Sequence, residues 1–270
     1  MTVPASGGPV VGHLRTAPPV TRSGDIATVD CRSIYYTYVN EAVRRAFDEG
    51  AHTVRLDNVN GQRYIGTGLS GEGRRIEVHG TPGQALGMFL DGPAIEVFGN
   101  AQDGVGNTMN GGEVIVHGSA GDVLGYGMRC GRIFIEGDVG YRVGIHMKSY
   151  RDQVPIVVAG GRAGDFFGEY MAGGLLVLLG LGEGEGAVAG NYLGTGMHGG
   201  TIYVRGEITD HQLGSEVREF PLCDDDVKML ADLLAEFAAD VEIDLTGVEP
   251  DQFKKLQPFS HRPYGNLYCY

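Results

Sequence analysis

The sequence predicts an all-β solenoid, a parallel β-helix of about seven coils with a helix flanking each end. Three observations carry that expectation. First, a glycine closes an apolar run at Gly80, Gly99, Gly118 and Gly137, a step of 19 residues each time. A fixed short period is the mark of a repeat architecture. Second, each run alternates, with apolar residues at Ile76/Val78, Ile95/Val97, Val114/Val116 and Ile133/Ile135. Period two means a strand with one face buried. Third, an apolar–Gly pair follows (Leu86-Gly87, Val105-Gly106, Leu124-Gly125, Val143-Gly144), then a Leu or Met at Leu90, Met109, Met128 and Met147. No helix fits between these glycines. Three short strands joined by glycine corners fill such a unit, and stacking puts the apolar residues in ladders around a packed column. A pore is not expected.

Taken in order, residues 1–24 are rich in Pro, Gly, Ser and Thr and read as an extended arm. Residues 25–53 form a capping region in which Ser33 to Phe47 is helical. Ile34, Tyr38, Ala42, Val43, Ala46 and Phe47 share one stripe there, and Gly50 ends it. Thr53–Val59 is the first strand, and the β-helix occupies 54–206. The apolar–Gly corners continue at Ile65-Gly66, Phe167-Gly168 and Leu193-Gly194. The steps widen to 24 residues (Gly144 to Gly168) and 26 (Gly168 to Gly194), which places edge inserts at Lys148–Pro155 and Gly182–Gly190. Residues 207–270 are a C-terminal helix and a docking tail. His211–Gly214 is a vestige of the repeat, and Asp224-Asp225-Asp226 supplies the carboxylates that suit a helix start. Its stripe reads Val227, Leu230, Leu233, Leu234 and Phe237. The tail QPFSHRPYGNLYCY is aromatic and must dock somewhere.

The outward positions of the first sheet run Glu77/His79, Glu96/Phe98, Ile115/His117, Phe134/Glu136, Val157/Ala159, Val177/Leu179 and Tyr203/Arg205. From Phe134 to Leu179 a face that should meet water turns apolar. Such a strip marks a covered surface, and its cover is either the C-terminal helix or a partner subunit. Phe134, Val157, Val177 and Leu179 are therefore candidate interface residues. Lys148, Tyr150 and Arg151 join them, because the insert KSYRDQ carries the densest polar chemistry in the chain.

Composition narrows the function classes. A formal charge of −13 argues against nucleic acid or an anionic membrane as partner. The longest apolar run, Leu175–Leu179, cannot span a bilayer, and no charged-plus-apolar leader is seen. The four cysteines (Cys31, Cys130, Cys223, Cys269) are scattered without CxxC spacing, as expected for a cytoplasmic protein with neither a cluster nor a zinc site of its own.

Motifs for catalysis are thin. Gly66-Thr-Gly68-Leu-Ser-Gly71 and Gly194-Thr-Gly196-Met-His-Gly199 both match GxGxxG, yet each is followed by another coil rather than a helix. They read as corners. Gly182-Glu-Gly184-Glu-Gly186 would repel a phosphate. His79 and His117 fall two rungs apart, roughly 10 Å on a ladder of about 4.8 Å steps, too far to share a metal directly. No catalytic, cofactor-binding or metal residue is assigned.

Several segments, however, are specific. GQRYIGTGL (61–69), the repeated GxxGxxxG units, RVGIHMKSYRDQVPIVVAGGRAGDFFGEYMAGG (142–174) and FKKLQPFSHRPYG (253–265) resemble the stand-alone third domain of the glutamate synthase large subunit, the GXGXG family. That family also includes the C subunit of formylmethanofuran dehydrogenase, the related formyltransferase/hydrolase complex and a subunit of N-methylglutamate synthase. The resemblance implies a right-handed β-helix without catalytic residues in a hetero-oligomer. It would hold a glutamine amidotransferase subunit against an FMN/iron–sulfur synthase subunit, the FMN and the cluster lying on those partners.

Overall fold

The alternating runs form the rungs of one continuous sheet. In the computed structural model, residues 15–182 and 187–259 are described. Their strands are β1 (Val20–Ser23), β2 (Ile26–Asp30), β3 (Thr53–Asn60), β4 (Arg75–Thr81), β5 (Ala94–Phe98), β6 (Glu113–Val116), β7 (Arg132–Ile135), β8 (Ile156–Ala159), β9 (Ala172–Leu178), β10 (Gly199–Arg205), β11 (Val217–Phe220) and β12 (Phe253–Pro258). Helix α1 (Tyr36–Asp48) lies between β2 and β3, and α2 (Asp224–Asp240) between β11 and β12. Strands β2 to β10 pair in parallel and in sequence order, which makes a parallel β-solenoid. The 19-residue step is visible as register, with Ile76 beside Ile95 and Ile95 beside Val114.

The structure makes about six turns where the repeats suggested about seven. The pairs from Ile65-Gly66 to Leu193-Gly194 are corners, and seven corners bound six laps. Each lap also holds one regular strand rather than three. The other sides are carried by single parallel bridges such as Ser70 with Asp91 and Val139 with Ala163, and by corner hydrogen bonds from Gly106 N to Leu86 O and Gly125 N to Val105 O, both 2.8 Å. Between glycine corners those sides are too short to extend a ladder.

Inside, Ile76, Ile95, Val114, Ile133, Leu86, Val105, Leu124, Met109 and Met128 are fully buried in one column. Side chains buried this completely form one continuous apolar core through the described laps. The first rung precedes α1. Strand β2 pairs with β3, and α1 replaces the remaining sides of that lap, burying Val39, Ala42, Val43, Ala46 and Phe47 against the column. Residues Val20–Ser23, assigned to the arm, form an antiparallel hairpin strand with β2; the arm before residue 15 lies outside the described residues. At the far end Leu213 bridges Leu193, so the vestigial turn near His211–Gly214 is real. There β12 runs antiparallel between β10 and β11, and the tail after Phe259 lies outside the described residues.

The apolar strip is covered from within the chain. Ile115, Phe134, Val158, Val177, Leu179 and Tyr203 pack against Leu230, Leu233, Leu234 and Phe237 of α2. Phe134 meets Phe237 edge to face, ring centroids 5.5 Å apart. Of the two occupants considered, the helix is the one in place, and Phe134, Val177 and Leu179 are not open to a partner. Val157 requires a correction of phase. Phe134 pairs with Val158, so Val157 and Ala159 point into the column and Val158 takes the outward place. A further correction falls on α2, where Val227 is 39% exposed and outside the buried stripe.

Asp226 pins this lid. Its carboxylate accepts hydrogen bonds from Cys223 N (2.8 Å), the Tyr203 hydroxyl (2.6 Å) and Lys255 Nζ (2.7 Å). Burial alone would push the carboxyl up, yet those donors hold it well below the ordinary carboxylate range. Burial and the same carboxylate push the Tyr203 phenol far up, so it stays a donor.

Candidate functional site

The corners decide which side chains the solenoid displays. Each carries three alternate residues at positive φ, for example Tyr64 (61°), Gly66 (74°) and Gly68 (62°). The middle one is glycine in every lap, and in most laps for a steric reason. A Cβ on Gly66 would stand 2.6 Å from Ile95 Cδ1, and one on Gly106 would stand 2.3 Å from Ile133 Cδ1. The outer two are roomier at most corners: a Cβ on Gly68 meets nothing within 4 Å, although one on Gly196 would stand 2.3 Å from Tyr170 Cδ1. They therefore accept other residues at roughly 1–2 kcal/mol of backbone strain each, offset by the coil-to-coil hydrogen bonds.

In the C-terminal laps these outer positions hold Arg142, Phe166 and Tyr192 in one row and His146 and Tyr170 in the other, all at positive φ. The rows are stacked. The Arg142 guanidinium lies 4.5 Å from the Phe166 ring centroid, and Phe166 stacks on Tyr192 at 4.9 Å. His146 stacks on Tyr170 at 5.4 Å, with Tyr126 edge-on to His146 at 5.8 Å. Arg142 Nε also donates to Glu169 Oε2 at 2.9 Å, and the Glu169 side chain is only 10% exposed. A buried carboxylate thus fixes a cation over an aromatic stack. Tyr192 and Tyr141 remain about half exposed, at 52% and 51%.

The insert rises from the same corner two residues after His146. Lys148 N donates to Met128 O at 3.0 Å, and Tyr150 and Gln153 exchange backbone hydrogen bonds of 3.0 Å across a tight turn. Tyr150 is 57% exposed, with the Arg151 guanidinium 5.1 Å from its ring. Lys148, Tyr150 and Arg151 therefore follow the aromatic corner directly in the chain, with Tyr150 exposed, whereas Phe134, Val177 and Leu179 lie under α2 and Val157 lies in the column. Sequence reasoning missed Arg142, Phe166 and Tyr192. Their signal was a constant offset of two residues before the corner glycines 144, 168 and 194.

A second cluster stands on the open part of the sheet. The Phe98 ring is sandwiched between His79 (4.6 Å) and His117 (5.2 Å), which realises the two-rung separation of the histidines. His117 Nε2 lies 2.9 Å from Glu96 Oε1, and Arg75 pairs with the other oxygen. Burial raises the Glu96 carboxyl, but those two partners outweigh it and leave it below its ordinary value. Among the described residues no group of three or more His, Cys, Asp or Glu could hold a metal ion, and no helix is long and apolar enough to cross a membrane. Cys31 is buried, and burial pushes its thiol up to about 12. What the surface offers chemically is recognition: exposed aromatic faces, a fixed guanidinium and a histidine ring. Tyr and Arg dominate the binding energy of protein interfaces.

Comparison with known proteins agrees with this architecture. A relative from Methanocaldococcus jannaschii, named only as uncharacterized protein MJ1350, is 43% identical over 253 residues, covering 89% of this chain and 95% of its own length. The profile of the GXGXG motif family matches residues 41–247, from within α1 to the far end of the α2 region. The chain belongs to the GXGXG motif family, as its sequence resemblance implied.

Proposed function

We propose that this chain is a non-catalytic structural subunit of a glutamate-synthase-like complex. It bridges a glutamine amidotransferase subunit and an FMN/iron–sulfur synthase subunit during glutamine-dependent transfer of amino nitrogen in the cytoplasm. FMN and the iron–sulfur cluster belong to the partner subunits in this reading. One observation carries it. One of the two segments in which the resemblance to the glutamate synthase domain is specific, residues 142–174, also supplies most of the aromatic corner: Arg142, His146, Phe166, Glu169 and Tyr170 all fall within it. The packed column supports the same reading, because ammonia passing between subunits would travel along their surfaces and not through this chain.

The test is affinity isolation of the tagged native chain with identification of the associated chains. The expected companions are an amidotransferase and a flavoprotein, and Tyr150→Ala with Tyr192→Ala, both side chains more than half exposed, should reduce their retention at unchanged melting temperature. Companions of the formylmethanofuran dehydrogenase, formyltransferase/hydrolase or N-methylglutamate synthase type would replace this reading with a scaffold role in those complexes.

A further inference from the structure

The lid does not seal its own margin. Ile156 and Leu175, cross-strand neighbours at the starts of β8 and the paired part of β9, lie at the edge of α2. There they meet Met229 and Leu233 at the floor of a groove of about 310 Å³. Above that floor stand Asp225, Asp232 and Glu236, with Lys228 as the cation among the described lining residues. All four rim side chains belong to exposed residues of α2.

Charge around the groove is not balanced by the described residues. Residues 207–259 carry fourteen Asp and Glu against four Lys and Arg. Arg132 is shared between Glu236 (2.6 Å) and Glu113 (3.7 Å). Even so, burial together with the nearby Asp240 keeps the Glu113 carboxyl above its ordinary value. Among the described residues no Lys or Arg forms an ion pair with Asp225 or Asp232. An apolar floor under an acidic, under-compensated rim is complementary to an apolar anchor flanked by cations.

We propose that this groove docks a partner segment presenting one or two large apolar side chains between Lys or Arg residues. The floor receives the anchor, and Asp225, Asp232 and Glu236 read the flanking charges. The surface lies on α2 and its margin, apart from the aromatic corner, and the inference does not depend on the bridging role.

The experiment uses the full chain and a fluorescent peptide of Leu residues spaced within a Lys-rich segment, followed by anisotropy at low and moderate salt. Saturable binding is expected, weakened at least tenfold when Ala replaces Leu in the peptide. The same loss is expected in an Asp225→Asn/Asp232→Lys variant whose melting temperature matches the parent. Equal binding of the Leu-free peptide would reduce the groove to diffuse charge attraction and overturn the proposal. Unchanged binding to the variant would also overturn it. So would sedimentation showing that the chain self-associates and that this variant abolishes it, which would make a second copy the occupant.

Discussion

Rungs β4 and β5 and rungs β6 to β10 share one sheet, one register and one inner column, yet their outer faces differ. The first set shows water a charged and aromatic ladder, in which Phe98 is held between two histidines and Glu96 is shared by Arg75 and His117. The second set is apolar and sealed by α2. The column explains neither face, since it is equally dry throughout. The difference lies in what covers the sheet. Where the chain supplies a helix, outward positions are filled as a second core, each large side chain worth roughly 1.5–3 kcal/mol on burial. Where it does not, stacking and ion pairs keep the edge soluble at small individual energies.

The comparison breaks most visibly at Phe237. It is fully buried, wedged on Phe134 and close under Gly160. Phe237→Ala should cost about 3–5 kcal/mol in urea unfolding, the range for a large-to-alanine change in a packed core. A loss under about 1 kcal/mol would mean that α2 contributes little and that the two faces are energetically alike.

Next comes Asp226, the polar pin of the same lid. Asp226→Asn leaves Lys255, whose side chain is 13% exposed, without its counter-charge, for an expected loss of about 2–3 kcal/mol. The sign of the pH effect follows from the depressed folded pKa. The carboxylate's contribution is complete above its unfolded value of about 3.9 and is lost as the pH falls toward the folded value. The urea midpoint of the parent should therefore drop below about pH 4, and Asp226→Asn should flatten that arm. An unaltered acid arm would show that the hydrogen bonds, not the charge, hold the lid.

How much of this contrast the sequence revealed depends on the residue. The ladder from Ile76 to Ile135 was legible because the 19-residue step keeps strand phase fixed over the four repeats. The apolar strip was legible as a strip. Its cover was not, since Phe134 and Phe237 are far apart in the chain and amphipathicity does not name the surface a helix will meet. Val157 was misplaced for a definite reason. The 19-residue step stops at β7, and Ile156-Val157-Val158-Ala159 offers no polar residue to show which positions face out. Paired glycines, Gly160 and Gly161, also blur which one closes the run. The aromatic corner stayed hidden because positions such as Arg142 and Phe166 sit at positive φ between glycines, where hydrophobic period carries no information.

On the open face the effects should be smaller, in the order Phe98 then Glu96. Phe98→Ala removes two ring stacks from a side chain already 42% exposed, an expected loss of about 1 kcal/mol. Glu96→Gln weakens the pairs with Arg75 and His117, an expected loss of about 0.5–1 kcal/mol that shrinks as salt is raised from low to moderate concentration. The salt dependence is the informative part. The Glu96 side chain is 13% exposed, so its pairs sit between the surface and the interior. A loss above about 2 kcal/mol that ignores salt would place them with the buried pin at Asp226, and the open rungs would then carry a structural device equivalent to the lid. A small, screened loss leaves the bare ladder as surface chemistry, free to be spent on recognition instead of stability.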